Sequence, residues 1–255
     1  MKIIIPQNIF SAVWALTLSD EQKSNLIIKN SSLITQSLLN DEADVALIPS
    51  LDLISHKDLF VSTKFALAFD GNISNALFLF SEDQTEIETI TVRGDVSANE
   101  LILTKLLFAE RFEIDVEIEL DSDQNEKLNP EKNYLIVGNE NYFDADKLFN
   151  KVSFADLVAE LLNFPYVNFV VASKSEENIK KFNETYKEID TLIEDNVSEY
   201  VGKLGLDPTV SSFISENVSS IYFDMTTNEE MGLTELIRLP FYHGMLKDII
   251  EINFV

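Results

Sequence analysis

Small polar residues recur where the chain leaves an extended run, and these are the positions whose types and spacing could do chemistry. Asn8 follows the apolar run 3–5, Ser50 follows the run closed by Pro49, and Asp70, Gly71 and Asn75 surround a sharp turn. Ser97 and Asn99 open a helical pattern, and Asn139 follows the run 134–137. Open α/β sheets bind ligands at the carboxyl ends of their strands. Amides, hydroxyls and adjacent backbone N–H groups at those ends can hydrogen-bond a small solute. The same residue types also serve as ordinary caps and turns, so position alone leaves both roles open. Arg93 is one of three arginines, with Arg111 and Arg238. Facing a cleft it would grip a carboxylate bidentately; otherwise Asp95, Glu86 or Glu88 would pair with it.

Other chemistries lack their residues. The chain has no cysteine, which excludes disulfides, zinc–thiolate sites, iron–sulfur clusters and a thiol nucleophile. His56 and His243 are its two histidines, each without a partner motif, and a surface role is expected for both. No G-x-S-x-G, calcium-loop, G-x-G-x-x-G or P-loop pattern occurs, so no metal site and no nucleotide cofactor is expected.

Composition narrows the partners. With 44 acidic and 19 basic residues in 255, the net charge of −25 opposes extended contact with nucleic acid or an anionic membrane. Hydrophobic residues make up 45% and aromatics 10%, enough for a packed core despite that charge. No run approaches the roughly 18–20 apolar residues of a membrane span. The first apolar stretch ends at Pro6, too short for a secretion signal, so a cytoplasmic location is expected.

The elements that must position these residues follow from periodicity. Strands are predicted at 3–5, 25–29, 44–48, 59–69 and 75–81, the last two joined by the turn Asp70-Gly71-Asn72. Helices are predicted at 10–18 and at 31–39, where Ser31 or Ser32 is available as N-cap. The pattern then restarts with an extended segment at 86–92, a helix at 97–112, a strand at 116–120, a polar loop at 121–132 and a strand at 134–137. A helix at 152–162 and a strand at 166–172 follow. A long charged helix at 175–201 and helices at 208–218 and 227–246 form a tail, with Thr227 and Glu230 in a capping-box pattern. Strands separated by helices predict mostly parallel sheets. The expected layout is two sheet-containing units, the second inserted into the first.

Several segments, in order, resemble the chorismate dehydratase and dihydroxynaphthoate synthase family of the futalosine route to menaquinone. They are DVALIP at 44–49, AFDGN at 68–72, the helix opening at Ser97 with LLFAERF at 106–112, LIVG at 135–138 and LNFPYVNFVVA at 162–172. The resemblance covers roughly residues 1–245. It implies a two-lobed, type II periplasmic-binding-protein-like α/β fold with a ligand cleft between the lobes. One lobe would comprise 1–92 with 169–255, the other 93–168, joined by two extended hinges. The implied activity is that of a lyase, loss of water from chorismate to give an enolpyruvyl-oxy benzoate, without metal or nucleotide. A non-catalytic binding protein of the same fold for a small-molecule ligand, expected to be a carboxylate, is the alternative.

The resemblance also assigns roles. Asn8 takes the place of the pocket asparagine implicated in the dehydratase, and Asn75 stands where a pocket serine is usual. Ser97 and Asn99 fall in the Ser/Thr-rich helix start that holds a ligand carboxylate. Glu100 replaces a serine there, so Asp95 and Glu100 bring negative charge to an anion-binding position. The synthase histidine has no counterpart, which disfavours that branch.

Overall fold

The computed structural model describes residues 1–82, 86–123, 127–143 and 150–255. The chain first lays down β1 (Ile3–Pro6), β2 (Leu26–Lys29), β3 (Val45–Pro49) and β4 (Phe60–Phe69). It crosses to a second sheet of β5 (Ala76–Leu79), β6 (Thr89–Gly94), β7 (Glu117–Asp121), β8 (Tyr134–Val137) and β9 (Val152–Ser153), then returns with β10 (Tyr166–Ser173), β11 (Ile221–Asp224) and β12 (Asn253–Phe254). The first sheet has the order β11-β4-β10-β3-β1-β2, with β12 beside β4; the second has the order β7-β6-β8-β5-β9. β1 and β3 are buried along their whole length, as apolar strands covered on both faces must be.

Helices α1 (Ile9–Leu16), α2 (Asp20–Lys23) and α3 (Ser31–Leu39) belong to the first lobe; α4 (Ala98–Phe112) and α5 (Phe154–Leu162) pack at the second sheet. The tail holds α6 (Glu176–Thr185), α7 (Ile189–Lys203), α8 (Pro208–Glu216) and α9 (Thr227–Tyr242). Trp14 of α1 is fully buried and lies 4.7 Å from the Phe65 ring and 5.7 Å from Tyr186, tying α1 to β4 and the tail. Phe10 joins the lobes: it meets Phe69 edge-on at 4.8 Å and Tyr142 of the second lobe at 5.7 Å.

Several expectations are corrected here. Both sheets are mixed, because β10 runs antiparallel to β3 and β4, and β5 antiparallel to β8. β4 leaves the first sheet at Phe69 and β10 re-enters it opposite that residue, so the two must point in opposite senses. Hydrophobic periodicity carries no strand direction. The expected lobe division at 92/93 moves for the same reason: residues 76–79 and 89–94 pair in the second sheet, and 166–168 already belong to the first. The turn at Asp70 and Gly71 therefore ends no hairpin but starts a crossing between sheets. The helix expected at 175–201 is two, broken at Glu188, whose φ of 55° is left-handed. The capping box lies one residue earlier, with Thr226 and Glu229. Of the loop expected at 121–132, residues 124–126 lie outside the described residues.

The start of α7 is fixed by a reciprocal clasp. Asp190 accepts from Phe223 N at 2.6 Å and Asp224 N at 3.2 Å, while Asp224 accepts from Ile189 N and Asp190 N, both at 3.0 Å. Burial, with the neighbouring Asp224 charge adding to it, pushes the Asp190 carboxyl up to about 7.

Two predictions follow from this packing. A Cβ on Gly94, at φ +104°, would sit 2.0 Å from the Val137 carbonyl oxygen. Gly94→Ala is expected to cost more than about 2 kcal/mol in urea denaturation, whereas Gly202→Ala, with nothing within 4 Å, gains up to about 1 kcal/mol. For Asp190, the folded carboxyl titrates above the unfolded value of about 3.9. Its contribution to stability is therefore complete below about pH 4 and lost as the pH rises through about 7. Carboxyl NMR should give Asp190 a midpoint near 7, and a midpoint in the ordinary carboxylate range would refute the burial of this carboxyl, since the backbone bonds of the clasp themselves lower it.

Candidate functional site

The interface between the lobes is closed by a buried polar network rather than an open cleft. Asn99, fully buried, accepts from Leu51 N at 2.9 Å and donates from Nδ2 to the Asn168 carbonyl at 2.6 Å. Asn168 Nδ2 donates to the Tyr166 hydroxyl at 2.8 Å, and Ser50 Oγ donates to the Val167 carbonyl at 2.7 Å. The side chains at the start of α4 thus reach across to β10 and to the turn after β3. Burial, with the nearby Glu100 carboxyl adding to it, holds the Tyr166 phenol well above its usual range.

Both helix starts facing this interface are already capped by the chain's own carboxylates. Ser97 Oγ accepts from Asn99 N, and Glu100 Oε2 accepts from Ser97 N at 2.8 Å and Ser97 Oγ at 2.7 Å. Glu100 is 1% exposed and burial raises its carboxyl above the ordinary range. It therefore folds back on its own helix and does not project a full charge into a cleft. Asp95 departs further from expectation. Its carboxylate lies at the start of α3 in the other lobe, accepting from Ser31 N at 2.8 Å and Ser31 Oγ at 2.6 Å. The N-cap of α3 is Asn30, not Ser31 or Ser32, and its side chain makes no capping bond. Asp95 supplies the acceptor that Asn30 does not, where the helix dipole favours an anion.

Arg93 is committed as well. Its side chain is 3% exposed; Nε donates to Glu140 Oε2 at 2.9 Å and Nη1 to Asp121 Oδ2 at 3.1 Å. Burial alone would lower the guanidinium, but Glu140 and Asp121 outweigh it and hold it above its usual range. The partners are neither Asp95, Glu86 nor Glu88, because β6 sets Arg93 directly beside Asp121 of β7. A residue so engaged is not a free receptor for a ligand carboxylate.

The remaining expected site residues separate. Asn8 caps α1 through Oδ1, which accepts from Ser11 N at 2.8 Å, while its buried Nδ2 has no partner among the described residues. Asn139 donates to the Gln7 carbonyl at 3.4 Å, and among the described residues its Oδ1 has no partner. Asn75 is buried; its carbonyl accepts from Gly138 N at 2.7 Å and its Oδ1 has no partner among the described residues. Asp70 and Gly71 fall elsewhere: Asp70 lines a separate hollow of about 400 Å³ with Tyr222, Asn228 and Glu229, and the Gly71 carbonyl accepts from Ser153 Oγ. They drop out because the crossing turns their polar groups toward β11 and β9. Of the histidines, His243 lies 3.0 Å from Glu110. Among the described residues no group of three His, Asp or Glu side chains could hold a metal.

Two hollows meet at Gln7 and Asn139. One, about 250 Å³, is polar and lined by Gln7, Asn30, Asp95, Asn139, Glu140 and Phe143. The other, about 380 Å³, is mostly apolar and includes Asn8. Gln7, Asn30, Ser31, Glu140, Tyr166 and Asn168 escaped the sequence reading. Asn30 and Ser31 carried a visible cap signal, but its partner sits 64 residues away.

Two lobes, each a sheet flanked by helices and joined by two crossings, define the periplasmic-binding-protein-like class. Solved structures agree on the fold. A protein of Archaeoglobus fulgidus superposes with a TM-score of 0.68 at 14% identity over 96% of this chain and 98% of its own. The periplasmic aliphatic sulphonate binding protein SsuA of Escherichia coli gives 0.60 at 12% identity, over 99% and 95%. The alkanesulfonate-binding SsuA of Xanthomonas axonopodis, bound to MOPS, gives 0.58 at 12%, over 100% and 97%. No curated protein matches the sequence. Residues 6–241 match the family described as Menaquinone biosynthesis, and the chain belongs to that family. Among the described residues no helix is long and apolar enough to cross a membrane.

The Asp95–Ser31 contact can be weighed directly. In a double-mutant cycle, Asp95→Ala and Ser31→Ala should couple by about 1–3 kcal/mol, as expected for hydrogen bonds to a partly buried carboxylate. Additive losses in urea denaturation would show that the Ser31 Oγ bond contributes nothing, because the bond from Ser31 N survives the substitution.

Proposed function

We propose that this chain is a chorismate dehydratase-like lyase of menaquinone biosynthesis, acting in the cytoplasm. The observation that carries the reading is the family match from residue 6 to residue 241, which spans both lobes and both crossings. The reaction removes a ring proton and a hydroxyl from chorismate, and the gain of aromaticity drives it. Such a step asks the protein to orient the ring, exclude water and assist the proton's departure. Asn8 is suited to the orienting part. Its Oδ1 is fixed by Ser11 N, which leaves Nδ2 as a preset donor for a substrate oxygen. Substrate would enter by parting the lobes and exchanging the Asp95–Ser31 bonds for its own carboxylates.

A second reading is favoured by a specific observation. Asp95, Glu100 and the acidic partners of Arg93 occupy the positions that a dicarboxylate would need. On that ground the chain is a solute-binding protein of the same fold that has lost the reaction. The structural neighbours described as aliphatic sulphonate and alkanesulfonate binding proteins fit this alternative.

Purified protein incubated with chorismate distinguishes the two. The dehydratase reading expects an aromatic product by chromatography and a loss of at least about tenfold in kcat for Asn8→Ser, which keeps an N-cap but removes the amide. No product, together with thermal stabilisation by a different small acid, would establish the binding protein instead.

A further inference from the structure

Apart from Asn8 at its edge, the apolar hollow is not used by either reading. Its floor is built from one face of α1. From the N-cap Asn8, the positions four, seven and eight residues on are Ala12, Ala15 and Leu16, which helical geometry stacks in one stripe. Two alanines in that stripe leave room where larger side chains would have packed. Ile5 and Pro6 of β1 and Ile28 of β2 form one wall, and Leu204, just after α7, forms another. β2 is the edge of its sheet, and Ile28 is 63% exposed there, a large apolar side chain left facing water.

Five polar residues stand in this apolar lining: Gln7, Asn8, Asn139, Lys23 and Lys203. Lys23 and Lys203 are the charged residues of the lining, in a chain whose acidic side chains outnumber the basic ones by more than two to one. Lys203 is engaged by Glu199 at 2.6 Å. Lys23 ends α2 and makes no ion pair among the described residues. The carboxylates of the neighbouring polar hollow, Asp95 and Glu140, do not line this one. The volume of about 380 Å³ suits a small organic ligand.

We propose that this groove binds an amphipathic organic anion, its apolar body lying over Ala12, Ala15 and Ile28 and its negative charge beside Lys23. The site differs from the interlobe surface at Ser97, Asn99 and Asn168, and the proposal does not rest on the dehydratase reading. An anion is favoured over a neutral ligand because a cation on an otherwise acidic surface steers one sign of charge. It is favoured over a second copy of this chain because that copy would bring a net charge of −25 against another −25.

Isothermal titration with 4-butylbenzoate tests it, read without any turnover, so that an inactive protein toward chorismate leaves the outcome unaffected. One ligand per chain is expected, with affinity falling as salt is raised. Lys23→Glu should weaken it by roughly tenfold or more, the scale of one charge-assisted contact. The neutral analogue 4-butylbenzyl alcohol should bind more weakly than the acid. Ala15→Phe, which fills the groove from a partly exposed position, should abolish binding while its melting temperature stays near that of the parent. Unchanged affinity in Ala15→Phe would place the ligand elsewhere and overturn the proposal, as would equal binding of acid and alcohol or no binding at all. A dimer in sedimentation that Ala15→Phe dissociates would assign the groove to a second copy and overturn it too.

Discussion

The hydrogen bonds between Asp95 and the first residue of α3 decide what the rest of this molecule can do. A helix start offers unsatisfied N–H groups and a partial positive charge, and in a two-lobed fold that is a natural place for a ligand's carboxylate. Here a side chain of the opposite lobe fills the place, and the lobes meet through it. Asn99 extends the same closure by bridging Leu51 N and the Asn168 carbonyl, and Phe10 against Tyr142 adds the apolar part. Any ligand that enters the interface must replace these contacts one for one.

That exchange changes the meaning of the large negative charge. A surplus of carboxylates at an anion site would repel an acidic substrate if they stood free. In this chain the relevant carboxylates are consumed: Glu100 by Ser97, Asp95 by Ser31, Asp121 and Glu140 by Arg93. Their desolvation raises the carboxyls of Asp95 and Glu100, which further weakens the repulsion. The obstacle to a dicarboxylate is therefore less the field than the occupancy. Substrate carboxylates would compete with intramolecular ones that are already in place, and opening the lobes is the step that lets them do so.

The two hollows on either side of Gln7 and Asn139 divide the accessible surface by chemistry. The polar one is rimmed by the closure residues themselves, and the apolar one is shaped by small side chains on α1 and by the end of α7. The clasp between Asp190 and Asp224 bears on the second, because it sets where α7 begins and so where its far end, with Lys203 and Leu204, comes to lie. Asn8, the residue the dehydratase reading relies on, lines the second hollow, whereas Asp95 lines the first.

Much of this was written in the sequence, because it depends on local rules. Apolar runs made buried strands, Ser97 announced a helix start, and the ordered series of segments from 44 to 172 pointed to the family and the two-lobed fold. The polar strand ends were found as a set, but the set did not hold together. Asn8, Asn99 and Ser50 stayed at or near the interface, whereas Asp70 and Gly71 turned away with the crossing, and Arg93 was taken by Asp121 of the neighbouring strand and by Glu140. Strand direction, lobe boundaries and the partner of Asp95 were decided by tertiary structure alone. Each depends on which distant segments share a sheet or face each other across it, and a periodicity of two or of 3.6 residues says which side of an element is buried but not what buries it.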